Sequence, residues 1–243
     1  MNRYKLIFSY CGTSFNGYAK QIDTRTIQGE IEKTLSLILN DEINLYASGR
    51  TDKGVHAINQ VAHFDATKDI ELLEKFRYSL NKLIDSNIYF KSIEKVDETF
   101  HSRFSAKGKI YQYVLNLKEY VPFFKDLELY LSDLDIEKIK EASRLFIGKH
   151  NFMDFTSKKD DDQNFVREIF SINFENKKDR VYIYFYGDGF MRYEIRKIVG
   201  TLIEVGKGKI DESFISKHLS STKRDIVSYQ APSKALYLKE VIY

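Results

Sequence analysis

The sequence predicts a mixed α+β protein: two pseudo-symmetric split β-α-β (ferredoxin-like) halves sharing a largely antiparallel central sheet flanked by helices. The order of periodic segments carries this expectation. Alternating and helix-periodic stretches run β-α-β-β-α-β up to residue 96, and a similar order starts again at residue 107. Composition agrees, since a chain of 243 residues that is 43% hydrophobic and 14% aromatic can fill a substantial core. The expected division is 1–104 and 105–243.

Residues 3–10 (RYKLIFSY) alternate as a strand with one buried face. TIQGEIEKTLSLILN (26–40) places Ile27, Ile31, Leu35 and Ile38 at helical spacing behind a Thr26 cap. Strands are expected at 43–49 and 58–66, a helix at about 70–83 and a strand at 87–96. KGKIYQYVLNL (107–117) opens the second series as a strand. A helix follows behind Asp135 and is stopped by Gly148. Further strands are expected within 165–175 and 180–187, a helix through 190–206, a short helix near 211–219 and a closing strand at 236–242.

The single cysteine, Cys11, excludes an intramolecular disulfide, and a start that reads as a strand predicts no signal peptide. No run approaches the roughly 18 apolar residues needed to span a bilayer. A cytoplasmic protein is the expectation. Net charge is +3 with a pI near 8.6, a weak bias toward polyanions, so local placement has to carry any nucleic-acid argument.

Three stretches carry such placement. SGRTDKGVHA (48–57) sets Asp52 between Arg50 and Lys53 in a segment bounded by Gly49 and Gly54. The segment is either a salt-bridged turn or the seat of an ionised nucleophile or base, because a nearby arginine favours the carboxylate. In GFMRYEIRKIVGTLIEVG, Met191, Ile195, Ile198, Val199, Leu202 and Ile203 form one apolar arc with Arg192 and Arg196 at its edge. Arg196 either snorkels to pair with a surface acid or reaches a cleft where it meets an acid such as Asp52. FHSRFSAKGKIYQYVL (100–115) interleaves Phe100, His101, Arg103, Phe104, Tyr111 and Tyr113 with lysines. Aromatic faces stack on bases while cations neutralise phosphates, so this suits single-stranded RNA. Tyr113 reads equally well as a core residue of a strand.

Other chemistries leave no trace. The five histidines lack metal-ligand spacing, and neither a phosphate-binding loop, a dinucleotide fingerprint nor a nucleophile elbow is present. No cofactor and no metal is implied, although Asp160 to Asp162 could recruit a cation.

In order and spacing, GRTDKGVHAINQVAHF, FHSRFSAKGKIYQYVL, GFMRYEIRKIVGTLIEVGKG and APSKALYL, with YCGTSFNGYAKQ and TIQGEIE earlier, resemble the bacterial tRNA pseudouridine synthase A family from end to end. The resemblance implies a cofactor-free isomerase that converts uridine to pseudouridine in the tRNA anticodon stem-loop, at positions 38, 39 and 40, as a homodimer. It implies that Asp52 is the catalytic carboxylate in a basic cleft, that Arg196 pairs with it and that Tyr111 stacks on the target uracil. It further implies that Arg50 assists base flipping and that Phe100, His101, Arg103 and Phe104 contact RNA. The chain departs from the family pattern at Tyr18-Ala19, at Glu194 and Lys197 around Arg196, and at Ala235. KKDDDQ (158–163) would repel phosphate where relatives offer basic groups. Two rival expectations stand beside this: a non-catalytic RNA-binding module in which Asp52 is only structural, and a hydrolase that uses Asp52 with a metal at Asp160 to Asp162.

Overall fold

The computed structural model describes residues 1–157 and 164–243, so the acidic stretch 158–163 lies outside the described residues. In chain order the strands and α-helices are β1 (Asn2–Tyr10), α1 (Ile27–Leu39), β2 (Tyr46–Ala47), β3 (His56–Ala66), α2 (Leu73–Leu83), β4 (Ile88–Val96), β5 (Gly108–Asn116), β6 (Leu129–Tyr130), α3 (Ile136–Ser143), β7 (Gly148–Asn151), β8 (Val166–Lys177), β9 (Arg180–Gly187), α4 (Glu194–Gly206), α5 (Glu212–Leu219) and β10 (Leu236–Ile242). The fold is mixed α+β with mostly antiparallel pairing, as expected. No helix among the described residues is long and apolar enough to cross a membrane.

One unit comprises Met1–Lys107 with Tyr237–Tyr243. Its β1 buries Tyr4, Leu6, Phe8 and Tyr10 on one face, which is the alternation visible in the sequence. β1 pairs antiparallel with β3 on one side and β4 on the other. The remaining edge of β3 is shared: β2 takes it antiparallel at His63 and Ala62, and β10 takes it parallel at His56 and Ala57. That parallel pairing draws the closing strand to this unit, whereas the sequence grouped it with 105–243. β2 is shorter than the strand expected at 43–49. The amide N–H of Ile43 goes to Ser36 Oγ (3.0 Å) and that of Leu45 to Glu32 Oε1 (3.0 Å), so these groups serve α1 and not a ladder. α1 starts as predicted, with Thr26 accepting from the Gly29 amide.

The other unit comprises Gly108–Leu236. Its strands lie in the order β5-β9-β8-β7, all antiparallel, with β6 parallel to β5. The helix expected to run from Asp135 to Gly148 is α3 followed by a tight 3-10 turn at Arg144–Phe146. Gly148, at φ +106°, then lets the chain reverse into β7. α4 begins at Glu194 and not at 190, because Tyr193 adopts a left-handed φ of 65° that no helical residue shares. Ile195, Ile198, Val199, Leu202 and Ile203 of the predicted apolar arc are buried, while Met191 lies before α4 and is half-buried; most of the rest of α4 is buried too, including Glu194 and Lys197. Gly200 permits this by letting the helix backbone lie against Tyr229–Ala231, where a Cβ would come within 2.7 Å of the Gln230 nitrogen.

Candidate active site

The Asp52 loop is built by backbone contacts that converge from four neighbouring segments. Ser48 N–H donates to Val61 C=O (2.8 Å), fastening its entry to β3. Tyr18 N–H donates to Thr51 C=O (3.1 Å), and Gln60 Nε2 donates to Gly49 C=O (2.9 Å). The hydroxyls of Tyr10 and Thr51 meet at 2.7 Å, and burial pushes the Tyr10 phenol up to about 12. Val55 N–H closes a turn on Asp52 C=O (3.1 Å) around Gly54, whose φ of +78° suits glycine. Gly12 packs so tightly that a Cβ there would lie 2.1 Å from the Val55 carbonyl oxygen, and its N–H donates to buried His56 Nδ1 (3.1 Å). The glycines of GTSFNG thus bring a second loop against this one. Asp52 is half-buried, while Arg50 and Lys53 are exposed on either side of it.

The predicted RNA-contacting stretch is anchored just upstream of that loop. Arg3 holds Asp65 through two hydrogen bonds of 2.8 Å and also donates to the Phe100 carbonyl (2.9 Å). Buried Ser102 is fixed by its N–H to His63 Nδ1 (3.2 Å) and by its hydroxyl to the Tyr46 carbonyl (2.5 Å). Burial, with the charges of His101 and Arg3 nearby, lowers the His63 imidazole to about 4, so it accepts that N–H as a neutral ring. With Ser102 turned inward, Arg103 and Phe104 point to solvent, Phe104 being 75% exposed. The His101 ring lies 4.3 Å from that of Phe104, and the half-exposed Tyr46 ring stacks on His63 at 5.2 Å. Sequence reasoning missed Tyr46 and His63; their signal was the alternation of β2 and β3, which places them across from each other.

Tyr111 and Arg196 belong to the second unit. Tyr111 and Tyr113 share a face of β5, and Tyr113 is the core residue its position suggested: it is fully buried, its hydroxyl donates to Pro232 C=O (2.9 Å), and burial raises its phenol pKa strongly. Tyr111 is 8% exposed and meets Phe190 edge to face, ring centres 5.4 Å apart. Half-buried Arg196 is tied twice to the APSKALYL stretch: its Nε donates to Ala231 C=O (2.9 Å), and Ala231 N–H donates back to the Arg196 carbonyl (2.8 Å). Its guanidinium lies 5.1 Å from the centre of the Tyr193 ring. A guanidinium fixed by one edge keeps its charge and a defined direction for its other N–H groups. Lys197 is buried beside it and donates to Val227 C=O, and burial lowers its pKa.

Chemically, these parts provide a carboxylate on a braced turn in the first unit, and an oriented guanidinium and a mostly covered tyrosine in the second. Among the described residues no three His, Cys, Asp or Glu side chains are grouped so as to hold a metal ion.

Known proteins match this chain along its length. The sequence profile of a family described as tRNA pseudouridine synthase matches residues 6–105 and 142–243, which include Asp52, Phe100 to Phe104 and Arg196 and leave Tyr111 outside. Relatives named tRNA pseudouridine synthase A include one from Listeria monocytogenes serotype 4a, 42% identical over 248 residues that cover 100% of both chains. Another, from Brevibacillus brevis, is 35% identical over 245 residues, again 100% of both. A third, from the Aster yellows witches'-broom phytoplasma, is 37% identical over 240 residues, 99% of this chain and 98% of the relative. A profile match that takes in the braced acid loop and the arginine helix, together with relatives aligned from end to end, shows that the chain belongs to the tRNA pseudouridine synthase family.

Proposed function

We propose that this protein isomerises uridine to pseudouridine in the anticodon stem-loop of tRNA, at positions 38, 39 and 40, with Asp52 as the catalytic carboxylate. The reaction breaks the bond between N1 of uracil and C1′ of the ribose and joins C1′ to C5; the C5 proton is lost and N1 gains one. A carboxylate serves either as nucleophile or as the base that takes a sugar proton, and in both roles it must be ionised and rigidly placed. The observation that carries this reading is the bracing of the Asp52 turn by Tyr18, Gln60, Thr51 and Val55. A merely solvated charge run has no use for such bracing.

The target base has to leave its stack, at a cost of a few kcal/mol that is smallest in loops and at helix ends. Exposed Arg50 is placed to fill the vacated space. Tyr111 holds the extruded uracil, and Arg196 supplies the positive charge opposite the acid. Phe100, His101, Arg103 and Phe104 grip the RNA, the exposed Phe104 ring and the Arg103 cation being the natural contacts for base and phosphate. A homodimer in the cytoplasm lets one tRNA touch both subunits.

Asp52→Asn tests the reading: tRNA binding is retained while pseudouridine formation falls roughly 10⁴-fold, the scale seen when an essential catalytic side chain is removed. Substantial residual isomerisation would show that Asp52 is structural and the protein a binding module. Affinity for tRNA also falls steeply with added salt as counterions are released, and a flat salt response would remove the cationic grip.

A further inference from the structure

The second unit contains a buried carboxyl that the proposed chemistry does not use. Glu194, the first residue of α4, is fully buried. Its Oε2 accepts the Met191 N–H (2.7 Å), and the Glu194 N–H donates to the Met191 carbonyl (3.2 Å), so residues 191–194 form a turn closed by two bonds. Its other oxygen, Oε1, is buried and has no hydrogen-bond partner among the described residues. Within that turn sits Tyr193 at φ 65°, a conformation costly for any residue with a Cβ and one that persists only when its surroundings enforce it. The turn aims the Tyr193 ring at two guanidiniums. Arg192 donates to its hydroxyl (3.0 Å) and lies 4.8 Å from its centre, and Arg196 lies 5.1 Å from it. The Thr156 hydroxyl fixes the Arg192 carbonyl (3.0 Å), and the Lys197 N–H takes the Tyr193 carbonyl (2.8 Å) as α4 begins.

We infer that Glu194 is a positioning residue: its neutral carboxyl locks the left-handed turn at Tyr193, and through that turn sets the direction of Arg196. This rests on Arg196 acting at the site as proposed above. Two observations support the neutral form. A carboxylate with one oxygen unpaired in a fully buried place is strongly disfavoured, whereas a carboxylic acid is tolerated there. Burial pushes the Glu194 carboxyl up to about 8, opposed by the Met191 N–H and by Arg167 of β8 and reinforced by Asp188 just beyond β9. These two charged groups from neighbouring elements act in opposite directions, and Arg167 donates to the carbonyls of Asn164 (3.0 Å) and Val166 (2.6 Å) rather than to Glu194. Loss of the proton puts a charge on the unpaired Oε1 in a site sealed from water; this outweighs the tighter bond to the Met191 N–H and drives the side chain out of the turn, so the guanidinium loses its fixed direction.

The test compares wild type with Glu194→Gln, which keeps an acceptor for Met191 and cannot ionise, measuring kcat and KM on tRNA and the thermal midpoint from pH 6.5 to 9.5. Wild-type kcat should fall by about tenfold per pH unit above about 8 with KM little changed, as expected when only the protonated form is active. The Gln variant should lack that fall, and its midpoint should decline less with pH. If the Gln variant keeps the wild-type fall, or the two midpoints run parallel, the inference is overturned. Arg196→Ala separates the two layers. Full activity in that variant removes the role of Arg196 and the inference with it; an inactive Arg196→Ala beside an unaltered pH profile in Glu194→Gln overturns the inference alone.

Discussion

The loop that carries Asp52 and the helix that carries Arg196 are held by different physics. The loop is braced through main-chain carbonyls and amides plus the neutral side chains of Tyr10, Thr51 and Gln60, none of which changes charge near neutral pH. The helix starts at a strained turn secured by a buried carboxyl, and its first turn buries a lysine. The bonds made by backbone groups, Tyr10, Thr51 and Gln60 are insensitive to pH, and the packing around them is intolerant of added atoms. Buried ionisable groups make the helix start the place where protonation alters geometry.

The sharpest way to break the contrast is Gly12→Ala. Its new Cβ would meet the Val55 carbonyl oxygen at 2.1 Å, and backbone cannot rotate away. We expect a loss of about 3 kcal/mol in chemical denaturation and loss of isomerisation, because the turn itself moves. Gly200→Ala is the matching change in the second unit, with contacts from 2.7 to 2.9 Å against the backbone of Tyr229–Ala231. A loss of about 2 kcal/mol is expected, with activity falling through the Arg196–Ala231 ties. If Gly12→Ala left both stability and activity at wild-type levels, the close approach described for the first unit would be wrong.

Smaller changes sharpen the comparison. Tyr10→Phe removes only the hydroxyl that meets Thr51, and should cost about 1 kcal/mol at every pH between 6 and 9. The contribution of Glu194 should instead vary across that range. Its folded pKa, about 8, lies above the ordinary 4.5, so the folded state holds the proton more tightly. Stability from this group is therefore full below about 4.5 and is lost as pH rises through about 8. Urea unfolding of Tyr10→Phe and Glu194→Gln at pH 6 and 9 distinguishes the two patterns. The mildest change is Tyr111→Phe, which should keep most activity because the ring and its edge-on contact with Phe190 remain, whereas Tyr111→Leu should not. Equal activity of those two variants would remove the stacking role.

Much of this architecture was legible because it follows from local periodicity. β1, α1, β4, β5, β9 and β10 lie within a residue or two of where alternation and capping placed them, since each buries one regular face. The shortening of β2, the 3-10 turn after α3 and the late start of α4 were not legible. Each depends on a partner distant in sequence or on a backbone conformation that a residue such as Tyr193 adopts only under tertiary constraint. The motif around Asp52 announced a special loop, whereas GTSFNG matched no binding fingerprint and gave no sign of its role. That the second loop packs against the first at Val55 appears only in three dimensions.

The sequence by itself determined the α+β class, the order of the longer elements and the family, because hydrophobic period, caps and a dense motif are written in neighbouring residues; the short β6 and β7 carried no such signal. Only the tertiary structure decided which edge of β3 the last strand joins, what braces the turn at Asp52, and that Glu194 is sealed from water with one oxygen unpaired. Burial and hydrogen-bond partnership belong to what surrounds a residue, and residues far apart along the chain provide those surroundings.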